Sequence, residues 1–177
     1  MDEQKETLNN PWLAPPKPAG LLSREALEDR ILNLLSSQNM AVIATVAPDG
    51  SPSATPVRYS SLGMEIMCTS WNASPKSRNL RLDPRVSVGI FAPLVGPASS
   101  RGAQFFGAAR TLERDHSEAD RYWSVFRWQA DQVENRRPLS EPPIDPLTVI
   151  TVDRVLYTEH WLRRSGFNPR QLWRRNG

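Results

Sequence analysis

The spacing of apolar residues changes period along this chain, and each change marks an element. From Leu22 to Asn39, Leu27, Ile31, Leu34 and Leu35 recur at i, i+4, i+7 and i+8, which predicts an amphipathic helix. Ser23 precedes it as a cap, Leu22 and Leu27 hold the positions of a hydrophobic staple, and Asn39 suits a left-handed close. Met40 to Ala47 is then a nearly unbroken apolar run ending at Pro48-Asp49-Gly50, the pattern of a buried strand and a turn. Ser53 to Tyr59 resumes extended, and Ser60-Ser61-Leu62-Gly63 reads as a second turn. Met64 to Thr69 sets Met64, Ile66 and Cys68 on one face against Glu65, Met67 and Thr69 on the other. These three segments predict an antiparallel meander.

Ser74-Pro75-Lys76 has the order of a helix start, a capping serine followed by proline at the first helical position. Asp83-Pro84 ends that helix, and Arg85 to Phe91 returns to a strand with Val86, Val88 and Ile90 on one side. Free N–H groups and the positive end of the helix dipole, with Lys76 and Arg78 in the first turn, read either as an anion seat or as a solvated basic face. Residues 92–102 are a loop by their breakers, lying over a cofactor or simply joining two strands. Ala103 to Glu113 reads as a strand with Gly107 at a point of close backbone approach. Asp115 to Asn135 reads as a second helix with an aromatic stripe through Tyr122, Trp123 and Phe126, and with Trp128 off the stripe. Residues 134–146 form a proline-rich linker, and Leu147 to Tyr157 is the last predicted strand.

Composition adds bounds. A chain of 177 residues with 39% hydrophobic residues suffices for one domain. Residues 1–20, with Pro11, Pro15, Pro16 and Pro18, are expected to be an extended arm, either a loose end or a strap on a partner subunit; residues 21–177 form the domain. No apolar run reaches the roughly 20 residues of a membrane span. The polar start and the single cysteine, Cys68, fit a cytoplasmic address. Net charge is +3, but from Arg154 onward the charged basic residues are all arginines and Glu159 is the one acid. Such a tail serves solubility, an anionic cofactor or nucleic acid; we do not assign nucleic acid as a partner.

Much chemistry is excluded. With His116 and His160 as the only histidines, no zinc spacing exists, and the phosphate-loop, dinucleotide and nucleophile-elbow motifs are absent. We assign no catalytic side chain and no metal site, and read Cys68 as core.

One ordered set of segments resembles a known family. Ala44-Thr45-Val46, Asp49-Gly50-Ser51-Pro52, Thr55-Pro56-Val57, Thr69-Ser70, Ser74-Pro75-Lys76-Ser77-Arg78-Asn79-Leu80, Asp83-Pro84-Arg85-Val86-Ser87 and Gly107-Ala108-Ala109 are similar to the FMN-binding split-barrel flavoproteins related to pyridoxamine 5′-phosphate oxidase. The likeness covers residues 22–112 well and the last strand loosely. It implies a mainly β fold with flanking helices, a six-stranded antiparallel split barrel, and a flavoprotein oxidoreductase acting on a small-molecule substrate or a reduced nicotinamide. A carrier or sensor of FMN, haem or deazaflavin on the same fold is the alternative.

In that likeness FMN lies along the second and third strands. The backbone of Ser53, Thr55, Pro56, Val57 and Arg58 with Thr69 and Ser70 faces ring and ribityl chain, while Ser74, Lys76 and either Arg58 or Asn79 hold the phosphate. It also implies a homodimer with FMN at the subunit interface, where Gln104, Trp161 and Arg163 are candidates to reach across; Trp161 alternatively packs at its own barrel's end. Three charge-assisted phosphate contacts at about 1.5–3 kcal/mol each do not offset association costs of about 4–15 kcal/mol, so the ring must be buried too. The pattern departs from true pyridoxamine phosphate oxidases in two places. Ser53 stands where they carry an arginine, and their C-terminal Arg-x-His-Asp-Arg motif is missing, so the resemblance does not extend to vitamin B6 oxidation.

Overall fold

The structure is a computed structural model and describes residues 19–93, 100–126, 138, 141 and 143–176. The arm 1–18, Trp128 and most of the proline linker therefore lie outside the described residues. In chain order the elements are α1 (Arg24–Ser37), β1 (Met40–Val46), β2 (Pro52–Arg58), β3 (Ser60–Leu62), β4 (Glu65–Thr69), α2 (Pro75–Leu82), β5 (Arg85–Ala92), β6 (Arg101–Leu112), α3 (Asp120–Trp123), β7 (Leu147–Glu159), a 3-10 helix (His160–Ser165) and β8 (Arg170–Arg174).

All strand pairs are antiparallel, in the order β2-β1-β5-β6-β7-β4-β3, with β8 on β7. Only Tyr59 separates β2 from β3. Its buried ring sends its hydroxyl to the Leu35 carbonyl at 2.9 Å, and its N–H donates to the Asn39 carbonyl at 3.0 Å. β2 and β3 are thus one bent strand that pairs first with β1 and then with β4, which closes a six-stranded ring. The turn expected at Ser60 to Gly63 is displaced: Ser60–Leu62 is strand, and the reversal falls at Gly63, whose φ of 57° is the left-handed conformation a turn requires.

The ring is split because β7 is long. Over its 13 residues one edge serves two partners, β4 along 147–151 and β8 along 154–158. The predicted meander therefore holds through β3 and β4, but the other neighbour of β4 is β7. Helix α1 plugs the opened end. Leu27, Ile31, Leu34 and Leu35 join Ile43, Ile66, Val88, Phe105 and Val155 in the main core. Ser23 caps it through Ala26, as expected, but Gln38 closes it in an extended conformation, so the left-handed close assigned to Asn39 does not occur.

The second long helix is corrected as well. Among the described residues, 113–119 form turns and the helix is Asp120–Trp123; residues 127–135 of the predicted helix lie outside the described residues. After it, Val125 and Phe126 donate to carbonyls three residues back, and Ser124 Oγ donates to the Arg121 carbonyl at 2.8 Å, competing with helix continuation. Tyr122 anchors the segment: its hydroxyl meets both Glu65 carboxylate oxygens at 3.1 Å and Arg110 at 2.7 Å, and it packs with Met67 and Leu147 in a second cluster. β4 is buried on both faces for this reason, the barrel interior on one and α3 on the other.

Candidate cofactor site

The site is built where β2, the end of β4 and α2 meet. The β3–β4 ladder ends at Ser60↔Met67, so beyond Tyr59 strand β2 keeps β1 on one edge and, among the described residues, no strand on the other. Helix α2 packs on β1. Ser74 caps it as predicted, accepting from the Ser77 N–H at 3.2 Å, with Pro75 at the helix start and Asp83 closing the far end.

The inner face of α2 is polar yet buried. Lys76 is 6% exposed, Asn79 4%, Ser77 8% and, at the end of β4, Ser70 8%. Asn79 Nδ2 donates to Thr45 Oγ1 at 3.0 Å, tying the helix to β1. Ser74 Oγ donates to Ser77 Oγ at 2.9 Å, and Ser77 Oγ donates to the Trp71 carbonyl at 2.9 Å. The Lys76 ammonium donates to Cys68 Sγ at 3.8 Å, and no carboxylate pairs with it among the described residues. A thiol is a weak acceptor, so among the described residues this buried cation has no counter-ion. Burial pushes the Cys68 thiol up, against the opposing pull of Lys76, and keeps it protonated beside the ammonium.

The predicted residues fall into three groups. Thr69, Ser70, Ser74, Lys76 and Asn79 converge on the α2 end of the opening. On β2 the faces alternate. Ser53, Thr55 and Val57 are partly buried toward the barrel, whereas Pro56 and Arg58 are exposed on its outer surface. Gln104 shares that outer surface, with its Nε2 donating to Ser87 Oγ at 3.1 Å. Trp161 and Arg163 lie in the 3-10 helix beyond the far end of β7 from Thr69, so one chain does not bring them to the seat. There Arg164 stacks on Trp161 at 3.7 Å. Thr45, Cys68 and Ser77 belong to the cluster but not to the predicted set. The single polar residue in the β1 run and the second serine of the helix start were the available signals.

The outer surface has a definite pattern. Cross-strand registers align Ala54, Ala44, Ser87, Phe106, Arg154 and Arg174 in one row and Pro56, Val42, Gly89, Gln104, Leu156 and Leu172 in the next. Beside these rows lie Met40, 52% exposed, and Phe91, 69% exposed. Across β2, β1, β5 and β6 these two rows are uncharged, and their arginines, Arg154 and Arg174, stand on β7 and β8.

Against known families, the pyridoxamine 5′-phosphate oxidase model matches residues 27–161, about three quarters of the chain and every part of the seat. The chain belongs to this family. The pyridoxamine 5′-phosphate oxidase fold recurs in solved structures of low identity. General Stress Protein 26 from Bacillus anthracis is 19% identical, with a TM-score of 0.59 over 84% of this chain and 98% of that one. An FAD-binding protein from Mesorhizobium loti is 20% identical, with 0.57 over 73% and 89%. A haem-binding protein from Mycobacterium smegmatis is 24% identical, with 0.62 over 88% and 60%. At such identities the family likeness is one of fold. Among the described residues no helix is long and apolar enough to cross a membrane, and no group of acids, histidines and cysteine is arranged to hold a metal.

Proposed function

We propose that this protein is an FMN-dependent oxidoreductase of the split-barrel class, acting on a small molecule or a reduced nicotinamide, and that it works as a homodimer. The observation that carries the reading is Lys76, a cation 6% exposed with a thiol as its partner, at the N-terminal end of α2 and beside Ser74, Ser77 and Asn79. Burying an ammonium costs several kcal/mol unless an anion meets it. A terminal phosphate supplies that anion and also meets the Lys76 N–H, the one donor left in a first turn where Pro75 has none and the Ser77 N–H is held by Ser74 Oγ.

The rest of the group fits the open edge of β2. The backbone groups along that edge suit the ribityl hydroxyls and the ring edge, while the Thr55 and Val57 side chains turn inward toward the barrel. Bound FMN supplies the redox chemistry, accepting and releasing a hydride or single electrons. The chain's own residues bind and orient it: the side chain and N–H of Lys76 fix the phosphate, Asn79 holds helix to strand through Thr45, and the second subunit excludes water from the ring. Ser53 in place of an arginine, and the absence of the C-terminal substrate motif, argue against pyridoxamine phosphate as the substrate.

The test is the visible spectrum of the purified protein followed by an FMN titration of Lys76→Met. Flavin bands, about one FMN per chain, and a loss of roughly ten- to a hundredfold in affinity in the variant are expected from one charge-assisted contact. A colourless protein that takes up no FMN would overturn the reading, and a haem band would move it to the carrier alternative.

A further inference from the structure

The start of α1 and strand β8 leave an apolar groove of about 370 Å³ between them, whose lining includes Leu21, Leu22, Leu27 and Leu172 with Arg24 and Arg174. Leu21 is 70% exposed there and Leu172 50%. The Arg24 guanidinium is tied down, to Glu28 at 2.9 Å and to the Arg174 carbonyl at 3.0 Å, and it lies over the Trp173 ring. Arg170 and Arg174 stand exposed on β8, and among the described residues neither side chain forms an ion pair. Arg174 is directly opposite Arg154 on β7, where like charges repel. The groove thus sets apolar surface beside positive charge that nothing neutralises.

The segment best placed to cover it is the chain's own residues 1–18. They join the fold at Gly20, which pairs in parallel with Phe167 and whose carbonyl accepts from the Asn168 N–H at 2.7 Å, just ahead of β8. From there the chain runs alongside β8, with the Leu22 N–H on Gln171 Oε1 and Arg24 on the Arg174 carbonyl. Lys17-Pro18-Ala19-Gly20 has the composition of a type I turn, proline second and glycine fourth, which doubles the preceding residues back over this path. At about 3.1 Å per residue in an extended, proline-rich form, Trp12 to Ala19 spans about 20 Å, against about 16 Å for the length of β8. Trp12 and Leu13 therefore come level with the groove. Before them lie Asp2, Glu3 and Glu6 against one lysine, Lys5, the charge that Arg170 and Arg174 lack. A short tether holds its end at about millimolar effective concentration, so a weak contact suffices. We propose that residues 1–18 fold back on their own chain, with Trp12 and Leu13 filling the groove between α1 and β8 and the acidic residues before them lying toward Arg170 and Arg174. The strap does not depend on the cofactor reading.

The experiment places a spin label on Asn10→Cys in the full-length protein, Cys68 being buried, and reads the loss of leucine methyl signals. Leu21, Leu22 and Leu172 should lose most of their intensity, whereas Leu32, exposed elsewhere on α1, should keep it. Trp12→Ala in the same labelled chain should restore the three signals, and raised ionic strength should restore part of them. A weak, uniform loss, a loss centred on other leucines, or one that Trp12→Ala leaves unchanged would overturn the proposal. A loss that salt does not touch would overturn the part given to the acids. Mixing spin-labelled chains with isotope-labelled chains that lack the label separates the remaining occupant: signal loss in the mixture would give the groove to the arm of a second copy and overturn the fold-back.

Discussion

Gly107 sits where β6 is pressed against β7. The register shifts between Phe106 and Gly107, leaving Asp153 as the extra residue of a bulge, and a Cβ at this position would run into the Thr151 carbonyl oxygen and lie 3.1 Å from Val152 Cα. The atoms in the way are backbone, which cannot swing aside as a side chain does. Gly107→Ala is therefore expected to destabilise the fold by about 1–3 kcal/mol, the usual cost of overpacking, read as a lowered denaturant midpoint at unchanged slope. A variant as stable as wild type would mean that the two strands separate easily there. The sequence pointed to this close approach, because a glycine inside a strand pattern weakens the strand unless a bulge or a neighbouring backbone requires it. It could not point to Lys76 meeting Cys68 or Asn79 meeting Thr45, since residues 8 and 34 positions apart meet through the fold and not through local pattern.

At the scale of elements, α2 is the part most completely specified by its own residues. Serine, proline and aspartate set its ends, and Asp83 adds a pH dependence. Its carboxylate accepts from the Arg85 side chain and N–H, which hold its pKa down to about 2 from an ordinary 3.8. A depressed carboxylate contributes stability above its unfolded pKa and loses it as pH falls through the folded one. The difference in Tm between wild type and Asp83→Asn should thus be constant from neutrality to about pH 4 and close between pH 4 and 2; a difference that persists at pH 2 would assign it to packing. Where elements depart from the local pattern, tertiary contacts override it. Acids and an aromatic stripe suggest one helix from Asp115, but Tyr122 is fixed by Glu65 and Arg110 across the barrel, and the chain turns to reach them. Strand β8 has no such local signal at all. Arg170–Arg174 lacks β-branched residues, and its strand form follows from the edge of β7 that β4 leaves unpaired.

For the whole molecule the open question is what covers the outer surface of β2-β1-β5-β6-β7-β8. Six strands about 4.8 Å apart, crossed by some 20 Å of strand, make on the order of 600 Å² of sheet, approaching the roughly 800 Å² per partner of a standard interface. A second copy fits better than an acidic partner. Val42, Gly89 and Gln104, with Phe91 beside them, are uncharged, and the arginines of these rows, Arg154 and Arg174, stand on β7 and β8 toward one side of the sheet. Phe91 is the position to test, because at 69% exposure it contributes little to the fold of one chain. Phe91→Glu should shift the protein from dimer to monomer in sedimentation at micromolar concentration with little change in the secondary structure seen by circular dichroism. It should also weaken FMN binding, since the ring would lose its cover while Lys76 and α2 stay intact. A dimer that survives the substitution would move the interface off this sheet. A monomer that binds FMN as tightly as wild type would mean that one subunit buries the ring by itself, and that Gln104 has no part in the site.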